Sequence, residues 1–285
     1  MFCLSKEKLA LSAIILTYFL IVFGGYVASS ESGMGCGPDW PLCNGEVIPE
    51  LQGDTLIEFG HRVIGAILFI MTILLFIKVK KENNRLANKV ANYMLGLLTL
   101  QLIMGAIVVF YHLPSFIITL HLLIAMIFLG LLIWFWRYEV PYTYNKYSEG
   151  FVMKRHLNIL IALLFFTMGI GAYIKHQHYG LACGWLDCGD TILPASIPEL
   201  LQTAHRLLAI ITVIYILYIT YKVLSMKLTI LRTRVILSLM VILAQLIIGV
   251  MTILSFVAIS FAVLHLAAAT LLFAIIVEAR IAIEN

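Results

Sequence analysis

Charge is what this sequence has least of. Its 285 residues hold 12% Asp, Glu, Lys and Arg against 62% hydrophobic residues, a balance that excludes an ordinary water-soluble domain. One stretch, Val235–Val277, runs for 43 residues without a charged side chain. As one helix rising about 1.5 Å per residue it would be roughly 64 Å long, twice what a bilayer hides, so it must turn back on itself. Six further runs of about 20 apolar residues, the length that crosses the hydrocarbon core, lie near Leu9–Ala28, Leu56–Val79, Tyr93–Tyr111, Ile117–Trp136, Leu157–Ile174 and Leu200–Tyr221. The expectation is an all-α membrane protein with eight transmembrane helices embedded in the lipid bilayer. A clear small-residue cleavage site is lacking after the first run, which is also too long for a signal-peptide core, so that span is expected to be retained.

Acidic residues are few as well, which leaves a net charge of +4. Short loops rich in Lys and Arg stay cytoplasmic, and 16 of the 19 basic residues, Lys146 among them, fall on one side of the eight spans. The exceptions are Arg62, Lys175 and Arg206. The charge thus describes topology, with both termini cytoplasmic in the cell membrane, and gives no pointer to nucleic acid. Cys36 and Cys43 fall outside, as do Cys183 and Cys188, and the oxidising side favours a disulfide in each outer loop. Cys3 is left over on the inner side with no assigned role.

One spacing recurs along the chain. Adding 144 takes His61 to His205, Arg62 to Arg206, Gln101 to Gln245, Gly105 to Gly249, His121 to His265 and Gly25 to Gly169. The pattern predicts two repeated four-helix bundles, residues 1–140 and 141–285, related as parallel repeats. It also puts the unmarked turn of the long apolar stretch at Ser255–Ile259.

Four of the eight histidines obey the repeat, each near the outer end of an even-numbered span. A lone membrane histidine is commonly a hydrogen-bond donor to a neighbouring helix. Four at related positions suit axial ligation of haem iron across a bundle, and the third and fourth ligands that zinc would need are lacking at these depths. Arg62 and Arg206 directly follow two of these histidines, where they would pair with haem propionates or snorkel to lipid headgroups. Gln101 and Gln245, each one turn before a glycine, read as helix-packing residues. His112, His156, His176 and His178 have no repeat partners and read as surface residues.

The halves differ where Glu58 becomes Gln202. Three residues before His61 on one helix face, Glu58 would face whatever that histidine binds and could handle a proton or stabilise positive charge. An amide cannot titrate, so the first half is expected to do the chemistry and the second to hold a cofactor. A helix-start carboxylate favoured by the dipole is the plainer reading of Glu58. The loop "CGPDWPLC" also differs from "CGWLDC". Its two prolines and tryptophan suit a stiff lid over the first site, whose cysteine pair is either structural or exchanges with an external thiol partner.

These residues resemble the haem A synthase family along nearly the full length: the "GPDWPLCNG" loop, "IEFGHR" on span 2, and histidines near the outer ends of spans 2, 4, 6 and 8. The cysteine pairs in both outer loops are similar to the subgroup found in bacilli and their relatives. The resemblance implies oxidation of a methyl group of haem O to the formyl group of haem A, for terminal oxidases. It implies that His61 and His121 flank the substrate haem, that Glu58 is the catalytic carboxylate, and that His205 and His265 ligate the iron of a haem B cofactor. It implies further that the Cys36 and Cys43 pair is linked to activity, while Cys183 and Cys188 are structural. A transient contact with the enzyme that produces haem O is expected, because that substrate partitions into lipid. A dihaem b-type electron-transfer protein remains the alternative, and it would have matched halves.

Overall fold

The computed structural model of the protein describes residues 5–82, 84–138, 147–184, 188 and 194–283. Eight long helices run in order: α1 Lys6–Ser29, α2 Gly53–Lys80, α3 Arg85–Phe110, α4 Ser115–Arg137, α5 Tyr147–His176, α6 Ile197–Ser225, α7 Thr229–Leu254 and α8 Ile259–Ala282. All eight are long and apolar enough to cross a membrane, which marks a multi-pass membrane protein. The 43-residue uncharged stretch turns between Leu254 and Ile259, where its register required a break. Cys3 and Lys146 lie outside the described residues, as does the boundary expected between residues 140 and 141.

Helix starts and interior hydroxyls show how the backbone is satisfied in a solvent without water. Ser5 and Asn84 cap α1 and α3, accepting from Lys8 N and from Leu86 N and Ala87 N. Ser196 caps α6 in the same way by accepting from Glu199 N. Inside the spans Thr17, Thr72, Thr167, Thr212 and Thr270 each donate to the carbonyl four residues earlier, whereas the buried Thr220 hydroxyl has no partner.

The chain divides into two compact units, Met1–Trp136 and Arg137–Asn285. In the first, α2 packs against α1 and α3, and Gln101 of α3 donates to the main-chain oxygen of His121 on α4 at 2.9 Å. In the second, α5, α6, α7 and α8 each pack against the next and α8 closes on α5. Apolar packing is concentrated toward the inner halves: Leu68, Leu75, Phe128 and Phe135 are buried in the first unit, and Ile216, Ile219, Phe273 and Ile276 in the second. The histidine-bearing halves of α2, α4, α6 and α8 are looser, since no residue is buried between Glu58 and Leu68, between Thr119 and Met126, between Gln202 and Thr212, or from Ile259 to Ala269.

The turns recur between the units. α3 enters α4 through His112 and Leu113 at φ 54° and 63°, and α7 enters α8 through Phe256 and Val257 at 55° and 60°, which keeps the 144 spacing. The outer loops after α1 and α5 keep a different one. A left-handed residue, Glu31 or His178, opens a short 3-10 turn, Ser32–Met34 or Tyr179–Leu181, two residues before the first cysteine of each loop, a spacing of 147. Three residues have shifted between the loops and the helices that follow them.

The first loop lies directly on α2. Ser32 Oγ donates to Asp54 Oδ1 at 2.7 Å, and both Thr55 Oγ1 and Asn44 Nδ2 donate to the Gly35 carbonyl. A Cβ at Gly35 would stand 2.3 Å from the main chain of Asp54, so only glycine permits this approach. Gly35→Ala is expected to cost about 1–3 kcal/mol through forced displacement of backbone, read as a drop of several degrees in the unfolding midpoint of detergent-solubilised protein. An unchanged midpoint would show that the loop does not need this contact.

Candidate functional site

Each of the four repeat-related histidines sits on an even-numbered helix at matched depth. His61 and His205 are eight residues into α2 and α6, about 12 Å from the helix start; His121 and His265 are six residues into α4 and α8, about 9 Å. All four rings are half-buried in the loosely packed outer halves. Each ring lies over a glycine of the preceding helix. A Cβ at Gly24 would be 3.1 Å from His61 Cε1, at Gly105 3.6 Å from His121 Cε1, at Gly171 2.7 Å from His205 Cε1, and at Gly249 3.1 Å from His265 Cε1. Phe23 adds a ring 5.9 Å from that of His61. In the second unit the His205 and His265 rings meet edge-on, with centroids 6.5 Å apart and planes inclined at 62°.

The glycines reveal a second spacing beside the 144 of the histidines. The 144 spacing matched Gly25 with Gly169, but Gly24 and Gly171 are the residues that meet histidines. They stand 147 apart, like the first cysteines of the two loops. The signal was present in Gly24-Gly25-Tyr26 against Gly171-Ala172-Tyr173 and in Cys36-Gly37 against Cys183-Gly184, and a single offset concealed it. Of the histidines without repeat partners, His112 and His178 are exposed. His156 and His176 are half-buried rather than surface residues, and His156 Nδ1 pairs with the Tyr215 hydroxyl at 2.7 Å.

Glu58 and Gln202 occupy the same place beneath the two loops, each only 4% exposed. The Cys36 amide donates to Glu58 Oε2 at 2.8 Å, and the Cys183 amide donates to Gln202 Oε1 at 2.7 Å. Each side chain then uses its remaining atom as its chemistry dictates. The Gln202 amide nitrogen donates to the Gly180 carbonyl at 2.7 Å. A carboxylate cannot donate, and Glu58 Oε1 instead accepts from Arg62 Nε at 3.1 Å and Nη2 at 2.5 Å. The same guanidinium donates through Nη1 to the Leu42 carbonyl at 2.8 Å. Arg62 therefore clamps Glu58 to the loop that the Cys36–Cys43 disulfide closes. Arg206 makes the related contact, donating to the Gly184 carbonyl at 2.6 Å inside the Cys183–Cys188 loop.

The Cys36 hydrogen bond yields a direct test. Glu58→Ala removes the acceptor, and backbone amide exchange across residues 35–43 should accelerate by roughly 10-fold or more, the equivalent of the 1.5–3 kcal/mol that a hydrogen bond to a charged group is worth. Glu58→Gln should change exchange far less, because Gln202 shows that an amide oxygen accepts the same bond. Equal acceleration in both variants would mean that the charge, not the acceptor, holds the loop.

The sequence profile of the cytochrome oxidase assembly protein family matches residues 7–277. A heme A synthase of Macrococcus caseolyticus is 31% identical over 291 residues, covering 95% of this chain and 96% of its own. One from Listeria monocytogenes is 28% identical over 279 residues, covering 92% and 90%. With this length of match and two histidine-bearing helix pairs at equal depth, the chain belongs to the haem A synthase family of cytochrome oxidase assembly proteins.

Proposed function

We propose that this chain converts haem O to haem A, oxidising one methyl group of its substrate to a formyl group. Two successive hydroxylations at that carbon, each a two-electron oxidation that takes its oxidant and oxygen atom from outside the chain, give a geminal diol, which loses water. The substrate lies in the first unit between His61 and His121, with Glu58 as the carboxylate of the reacting side. The second unit carries haem B as resident cofactor on His205 and His265. Both termini face the cytoplasm, and the haem sites lie toward the outer face.

The observation that carries this reading is one clasp built with two chemistries. The same amide position, Cys36 or Cys183, is received by a carboxylate in one unit and by a neutral amide in the other. If both units only passed electrons, nothing would call for a titratable group in one of them. Glu58 can hold a proton or stabilise positive charge developing on the substrate. Arg62 orients that carboxylate and ties it to the overlying loop, which keeps water from the reacting carbon. Its bonds to Glu58 and Leu42 leave only part of the guanidinium for a propionate, so that role is shared with the clamp.

The residues also fit a haem. Half-buried imidazoles in loosely packed helix halves, with the Nδ1 atoms of His61, His121 and His265 unpartnered, are polar groups left without protein partners. His205 and His265, whose ring centroids are 6.5 Å apart, are the residues that would hold the haem iron. Haem B bound there would supply one-electron transfer to the first unit. Haem O arrives through lipid by transient contact with the enzyme that makes it; Cys36 and Cys43 are both buried, so exchange with an external thiol partner would require their loop to open first. Nothing observed favours the dihaem electron-transfer alternative.

The decisive experiment expresses the chain in cells that make haem O but not haem A and identifies the extracted haems by chromatography and mass. Haem A or its hydroxylated precursor is expected only when the chain is present. Glu58→Gln should keep normal haem content while product formation falls by about 10²–10⁴-fold, the usual contribution of a positioned acid or base. Wild-type product levels in that variant would remove Glu58 from the chemistry.

A further inference from the structure

The four histidines are not held equally. His61, His121 and His265 each keep a buried Nδ1 without a hydrogen-bond partner, whereas His205 Nδ1 lies 3.1 Å from the main-chain oxygen of Thr167 on α5. That carbonyl is accessible because of the residue one turn later. A helical side chain covers the turn that precedes its own Cα, so the residue four positions after Thr167 would ordinarily screen it. That residue is Gly171, where a Cβ would stand 2.7 Å from His205 Cε1 and 3.2 Å from Nδ1. Gly24 holds the corresponding place against His61, yet His61 finds no acceptor there.

We propose that Gly171 and the Thr167 carbonyl are positioning groups that make His205 the anchoring ligand of a permanently bound haem, while the unanchored His61 and His121 allow the first unit to release its haem. His205 acts in this way only if it and His265 hold haem B, as proposed above. Donation from Nδ1–H to a carbonyl fixes the tautomer, leaves Nε2 as the ligating atom, orients the ring and raises its basicity. A substrate site has to surrender its occupant at every turnover, and a cofactor site must not. Each unit carries two of the four repeat-related histidines, and the pairs differ in this bond.

The test uses the full chain in lipid nanodiscs, prepared from cells that make haem B but no haem O. Haem loss to excess apomyoglobin and the midpoint potential are both measured. Gly171→Ala should speed release of the slowly lost haem by roughly 10- to 100-fold, the usual effect of removing a partner of a metal-bound histidine. Its potential should rise, because a less basic ligand stabilises the ferric state less. Gly105→Ala, which would make only ordinary contact with His121, should leave the slow phase and its potential unchanged. Wild-type release and potential in Gly171→Ala would overturn the anchoring role. His205→Ala tests the ligand assignment separately: if the bis-imidazole spectrum of the slowly lost haem survives, the ligand reading fails whatever Gly171→Ala does. Should Gly171→Ala not fold, His205→Gly supplemented with free imidazole or 1-methylimidazole decides the matter, since the methylated ring has no N–H to donate. Recovery of slow release by imidazole alone supports the anchor, and equal recovery by both ligands overturns it.

Discussion

In hydrocarbon a polar group without a partner has no water to fall back on, and each such group costs several kcal/mol. The structure is organised around that constraint. Interior threonines turn their hydroxyls onto their own helices, and Gln101 spends an amide proton on the main chain of His121. Three imidazoles with a bare Nδ1 depart from this economy, as do Thr220 Oγ1 and the Oε1 atoms of Gln101 and Gln245. The imidazoles lie in the loosely packed outer halves of α2, α4 and α8, while the inner halves are filled with Leu, Ile and Phe. A haem group between helices would fill the loose halves and take the opposite ring nitrogen, while each bare Nδ1 would still lack a protein acceptor.

The same constraint accounts for the outer loops. Their irregular backbone lies over the ends of α2 and α6, and a loop amide turned inward needs an acceptor. Glu58 and Gln202 provide it, buried to the same degree. What each does with its second atom separates the units chemically. Gln202 closes on its own loop through Gly180, whereas Glu58 recruits Arg62, which reaches on to Leu42 between the two cysteines of the disulfide. Disulfide, carboxylate and arginine thus form one connected assembly in the first unit. A change at any of the three is transmitted to the other two.

Much of this could be read without coordinates. Hydropathy is a property of composition along the chain, so the eight spans, the forced turn near Ser255 and the pairing of histidines at equal depth were all legible. The Glu58 and Gln202 difference was legible for the same reason: two residues at one repeat position are compared without knowing their neighbours. The second offset, 147 across α1, α5 and the loops, was also written in the residues, but an insertion of three hides when only one spacing is sought.

The linear sequence by itself thus determined which residues recur, at what depth they sit and which half bears the carboxylate. Only the tertiary structure decided what they touch. That Gly24 and Gly171 lie under the imidazoles depends on helix rotation, which no spacing specifies. That His205 reaches a backbone carbonyl while His61 does not is likewise a matter of packing between neighbouring helices. Main-chain acceptors carry no residue identity, so a contact made to Thr167, Leu42 or Gly184 through the carbonyl oxygen leaves no mark in the sequence and becomes visible only when the helices are packed.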